Sequence, residues 1–117
     1  MAYATVSVEL CEGITVIRVL PQRVFLKTSE QFREEIIHIL DSAALKVIID
    51  LSRVNMMNSA GLGVLILARD KILKRGGILV VCGLLNMMRE IFARMHLDSY
   101  FMLQPDCETA LADLRRV

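Results

Sequence analysis

Two apolar runs constrain this chain more than anything else in it. Lys46–Leu51, KVIIDL, and Ile78–Cys82, ILVVC, are short, rich in β-branched residues and apolar apart from Lys46 and Asp50. Such runs are the mark of strands covered on both faces. Between them lies an apolar helical segment that starts near Asn58-Ser59 and stops at Gly76-Gly77. The remaining sequence extends this alternation. Thr5–Leu10 alternates imperfectly, and Ile14–Leu20 is rich in β-branched residues. Cys11-Glu12-Gly13 between them predicts a tight turn and a hairpin, which Pro21 closes. Thr28-Ser29-Glu30-Gln31 fits a capping box, with Thr28 accepting from the amide three residues on and Gln31 reaching back. The helix behind it turns Phe32, Ile36, Ile39 and Leu40 inward and Arg33, Glu34, Glu35 and His38 outward.

Leu84, Met87, Met88, Ile91, Phe92 and Met95 form one stripe of a further helix. Tyr100–Leu103 reads as a short last strand, and Asp106 as the N-cap of a terminal helix with Ala110, Leu111 and Leu114 facing inward. The predicted order is β-β-α-β-α-β-α-β-α. It describes an α/β fold: one domain over residues 1–117, a small mixed sheet packed with about four helices. Its length suits one hydrophobic core, since single domains cluster at ~100–150 residues.

Composition excludes several classes. Hydrophobic residues make up 55% of the chain and charged residues 23%, so there is ample apolar surface to offset chain entropy and disorder is excluded. The formal net charge of +1 provides no field that would select nucleic acid or an anionic membrane. Cys11, Cys82 and Cys107 are odd in number and widely spaced, which predicts reduced thiols in a cytoplasmic protein rather than a disulfide framework or a zinc site. MAYATVSVEL lacks the basic-then-apolar pattern of a leader. The run Leu62–Ala68 is too short to cross a bilayer, so no membrane insertion is expected. His38 and His96 stand apart from each other and from carboxylates at ligand spacing, so no metal is expected. GGILVVCG has neither a GxGxxG nor a Walker pattern, and no cofactor is expected. Asp50 has no accompanying base or nucleophile, so it reads as a loop-ordering residue rather than the acid of an enzyme. Lys71, Lys74 and Arg75 suit the negative pole of their own helix.

The polar pair Asn58-Ser59 directly before the apolar helix has two readings. In the first, Asn58 or Ser59 is simply an N-cap, and Gly61 and Gly63 let the helix start approach a neighbouring backbone. In the second, a serine at a helix start is a favourable place for an added anion, because free amides and the positive end of the helix dipole converge there. The pair also follows the carboxyl end of a buried strand, the edge at which open α/β sheets commonly place their sites. Local chemistry alone does not choose between the two.

The stretch KVIIDLSRVNMMNSAGLGVLILARDKILKRGGILVVCGL resembles the central signature of the STAS domain family, in its bacterial anti-sigma factor antagonist branch. Asp50-Leu51-Ser52 and Ser59-Ala60-Gly61-Leu62-Gly63 match that signature, and MREIFARMHLDSYF is similar to the family's third helix and last strand. The resemblance implies a protein-binding switch rather than an enzyme. The unphosphorylated antagonist sequesters a serine kinase that acts as an anti-sigma factor, the kinase phosphorylates one serine, and a serine phosphatase resets it. The matching serine is Ser59. The implied partner surface comprises Met56, Met57, Asn58, Ser59, Ala60 and Gly61, with Gln22 and Arg23 from the loop after the second strand. A scaffolding STAS subunit, of a signalling assembly or of a lipid-transport complex, is the alternative that the family offers. The chain departs from the pattern twice. Asn58 stands where the family has Asp, which keeps the cap but removes a charge. LPQRVFLKTS replaces a loop that in many members carries Gly, an apolar residue and Asp.

Overall fold

The computed structural model describes residues 3–117. Met1 and Ala2, part of the stretch read above for a leader, lie outside the described residues. Among the described residues no helix is long and apolar enough to cross a membrane. β1 (Val6–Cys11) and β2 (Ile14–Val19) pair antiparallel. Their turn is Glu12-Gly13, both at positive φ (52° and 82°), the twist that a two-residue hairpin needs. β4 (Lys46–Asp50), β6 (Ile78–Cys82) and β7 (Met102–Gln104) join parallel to β2, in the order β1-β2-β4-β6-β7. The mixed five-stranded sheet and its four helices are therefore as the apolar runs predict.

The sheet is covered on both faces, which is why its central strands are apolar throughout. Ile17, Val19, Val47, Ile49, Leu79 and Val81 point into the larger core. That core is filled by α1 (Leu26–Leu40), α2 (Ser59–Lys74) and α3 (Asn86–Arg94), through residues such as Phe32, Ile36, Leu65, Met88 and Phe92. Ile14, Val16, Ile48, Val80 and Cys82 point the other way, beneath Ala110 and Leu114 of α4 (Cys107–Arg115). The period-two alternation of a strand sorts these neighbours onto opposite faces. Asp106 caps α4 as predicted, accepting from the Thr109 amide at 2.7 Å.

Several details differ from the sequence reading. β3 (Arg23–Val24) and β5 (Met56–Met57) form a separate two-stranded parallel sheet that the pattern did not announce. α1 starts at Leu26, ahead of the expected capping box. Thr28 and Ser29 lie inside the first turn, and Ser29 Oγ donates back to the Leu26 carbonyl at 2.6 Å instead of capping. Val24, just ahead of the helix, is buried, and the Phe25 carbonyl accepts from the Thr28 amide at 3.0 Å. Glu35, expected in solvent, is buried and accepts from the Ala4 amide, the Thr5 amide and the Thr5 hydroxyl at 2.7–3.0 Å. Burial alone would raise its pKa, but these donors outweigh burial and hold the carboxyl below its ordinary range. The α3 stripe is narrower than predicted: Met88 and Phe92 are buried, while Met87 and Met95 are each 49% exposed. Arg75 serves the end of α1 rather than of its own helix, donating to the Leu40 and Ser42 carbonyls. Gly76, at φ 78°, provides the left-handed residue that ends α2.

Candidate functional site

The small β3–β5 sheet explains how two distant stretches meet. The Gln22 carbonyl accepts from the Asn55 amide at 2.7 Å, Arg23 pairs with Met56, and Val24 with Met57. The Val24 carbonyl then accepts from the Asn58 amide at 3.0 Å. Each of the two strands runs directly into a helix, β3 into α1 and β5 into α2. Both helix starts therefore sit side by side.

The start of α2 is tightly specified. Asn58 has an extended backbone, and its Oδ1 accepts from the Gly61 amide at 2.8 Å, the geometry of an N-cap. Its Nδ2 donates to Ser29 Oγ at 3.4 Å, which ties the cap to the first turn of α1. Ser59 is the first helical residue and is exposed, as is Ala60. Their amides belong to the group that a helix start leaves without intrahelical partners. Gly61 is buried against side chains rather than against a backbone. A Cβ there would fall within contact of Met57 Cγ and lie 3.2 Å from Val24 Cγ1. Gly63, expected to serve the same close approach, faces open space.

The sequence-derived residues thus sort by depth. Gln22, Arg23, Ser59 and Ala60 are exposed, and Met56 and Asn58 are half-buried among them. Met57 and Gly61 lie beneath, as the platform on which the α2 start rests. Sequence reasoning missed Val24, Phe25, Leu26 and Ser29. The signal for them is the apolar triplet Val24-Phe25-Leu26, set directly before a polar helix start.

The other candidates have structural partners. Asp50 Oδ1 accepts from the Ser52 amide at 2.9 Å, and Oδ2 lies 3.6 Å from Arg18 Nε, so it orders the loop after β4. Burial pushes the Cys82 thiol up to about 12 and raises that of Cys107, while a hydrogen bond to Glu9 raises that of Cys11. All three are held as neutral thiols. Among the described residues no group of His, Cys, Asp and Glu is arranged to hold a metal ion.

Residues 5–110 match the model of the STAS domain. The chain belongs to the STAS domain family. This STAS domain is 32% identical over 84 residues to BtrV of Bordetella bronchiseptica, which is named as an anti-sigma factor antagonist; the match covers 72% of each chain. Among solved structures it is similar to an anti-sigma factor antagonist from Mycobacterium paratuberculosis, with a TM-score of 0.85 and 27% identity over 95% of this chain and 93% of that one. It also shares the fold of the phosphorylated form of the Bacillus cell fate determinant SpoIIAA, with a TM-score of 0.71 and 21% identity over 93% and 98% of the two chains.

Proposed function

We propose that this STAS domain is an anti-sigma factor antagonist, a protein-binding switch controlled at Ser59. It binds an anti-sigma factor that is also a serine kinase, and so frees a sigma factor. Transfer of a phosphate to Ser59 ends the binding, and a serine phosphatase restores it. The observation that carries this reading is the exposed Ser59 at the first position of a helix whose preceding residue, Asn58, already caps it. The protein fold therefore does not require the Ser59 hydroxyl as a cap, which leaves it available as an acceptor.

The physics supports release as the consequence. A phosphoserine carries a charge of about −1.5 to −2. At an exposed helix start that charge is tolerated, because it faces the positive end of the dipole. In a closed interface shaped around a neutral hydroxyl, the same charge meets desolvation without a partner. Folding and binding respond in opposite senses to one modification, as a switch requires. The relatives' names as anti-sigma factor antagonists support the class of partner, an anti-sigma factor.

The test is incubation with the cognate kinase and ATP, followed by mass spectrometry. One phosphate on Ser59 is the expected product. Phosphate confined to Ser52 or Ser99 contradicts the assignment.

A further inference from the structure

Beside the α2 start stands a residue that the fold does not explain. Leu26 is 82% exposed, the most exposed large apolar side chain among the described residues. Its φ is +50°, in the left-handed region that penalises any side chain with a Cβ. Glycine would take this conformation freely. Leucine therefore contributes neither core packing nor an easy backbone here. A strained, solvent-facing apolar residue is the kind of outlier that leads to function.

Leu26 is also wired to the switch. Its carbonyl accepts from Ser29 Oγ at 2.6 Å, and Ser29 Oγ in turn accepts from Asn58 Nδ2 at 3.4 Å. Asn58 is the cap residue directly before Ser59. On the other side, Leu26 and half-buried Phe25 border an open hollow with Lys27, Thr28 and Glu30. Exposed Gln22, Arg23, Ser59 and Ala60 lie on or directly beside the two strands whose pairing joins this segment to the α2 start.

We infer that Leu26 is the apolar anchor of the partner interface: it inserts into an apolar pocket on the anti-sigma factor while Ser59 faces the same partner. The inference rests on the reading of Ser59 given above. It assigns adhesion to the start of α1 and regulation to the start of α2. The side chain already stands in solvent in the unbound chain, so it is presented before the partner arrives. Pre-organisation of this kind raises affinity by reducing what must be ordered on binding.

The experiment uses the full chain and its cognate kinase-type anti-sigma factor, purified. Leu26→Gly, Leu26→Ala, Leu26→Met and Ser59→Glu are compared by titration calorimetry and thermal unfolding. Leu26→Gly is expected to keep or raise the melting temperature, since glycine relieves the left-handed backbone, yet to lose about ten- to a hundredfold in affinity, the worth of one buried leucine side chain. Leu26→Ala loses affinity similarly, and Leu26→Met, which retains apolar reach, stays within about threefold by the tolerance of volume-conserving swaps. A merely structural leucine would lower the melting temperature when replaced and leave affinity alone. Wild-type affinity in both Leu26→Gly and Leu26→Ala overturns the anchor; if Ser59→Glu still loses binding, the Ser59 reading stands without it. If Ser59→Glu binds normally while the Leu26 variants fail, the anchor stands and the switch fails. A wild type that binds no such factor overturns both.

Discussion

The two helix starts at the β3–β5 edge occupy equivalent positions, and they are built in opposite ways. α2 begins on a residue with the right side chain in the right conformation: Asn58 is extended and caps Gly61. α1 begins on Phe25, which offers no acceptor, and passes through a leucine at φ +50°. The stability of α1 comes from farther along. Phe32 and Ile36 fill the core, and Glu35 gathers three hydrogen bonds from Ala4 and Thr5. The difference teaches that a helix start relieved of structural work can take on another kind. The satisfied start of α2 can accept a charge at Ser59 without cost to the fold. The strained start of α1 presents an apolar side chain that the fold itself does not use.

The comparison can be broken at four places, from the largest expected effect to the smallest. If α1 is held by Glu35 rather than by a cap, Glu35→Gln should cost about 2–3 kcal/mol in denaturant unfolding at neutral pH, the scale of hydrogen bonds to a charged group. The carboxyl's folded pKa is depressed below its ordinary 4.5, so its stabilisation is full above that value and fades as pH falls through the folded value. The gap between wild type and Glu35→Gln should therefore narrow in acid. A gap that is constant from about pH 7 to about pH 3 would remove Glu35 from the account.

The second place is the platform. Gly61→Ala forces a Cβ into Met57 and toward Val24, and overpacking of this kind costs about 1–3 kcal/mol. Gly63→Ala, only two residues on, meets open space and should stabilise the helix by up to about 1 kcal/mol, the propensity difference between the two residues. Thermal unfolding of the pair measures the contrast directly. Equal shifts would show that the α2 start does not rest on Met57 and Val24.

Third, Asn58→Ala removes the cap and should lower stability by about 1 kcal/mol. No change would mean that α2, like α1, is held from farther along, and the contrast between the two starts would lose its basis. Fourth, Asn58→Asp keeps the cap and should change stability by less than about 1 kcal/mol. It restores the charge that the family carries before its serine. If that charge helps to orient the hydroxyl or take up its proton, the initial phosphorylation rate should rise by about tenfold. Equal rates would show that the charge is dispensable.

What was legible in the sequence follows from periodicity and side-chain chemistry. KVIIDL and ILVVC are long enough for their apolar continuity to mark strands, and Asn58 and Asp106 are residues whose side chains cap helices wherever the backbone allows. β3 and β5 are two residues each, too short for any period to register. The α1 start misleads because Thr28-Ser29-Glu30-Gln31 satisfies a local pattern, while the helix begins at Leu26 with no side-chain cap. Glu35 looks solvent-facing by helical position, and its donors are some thirty residues away in the chain. The pair Asn58-Ser59 was legible as a helix start, but the approach of Val24 and Ser29 to it was not, since the parallel β3–β5 pairing brings them there.

One measurement bears on the central claim most directly. Wild type and Ser59→Glu are compared in two titrations, one against the anti-sigma factor and one against denaturant. The account predicts affinity lower by about a thousandfold, equivalent to several kcal/mol of unmatched interfacial charge. It also predicts unfolding stability that is unchanged or raised by ~0.3–1 kcal/mol, as negative charge at a helix start allows. Undiminished affinity in a fully folded Ser59→Glu protein would contradict it.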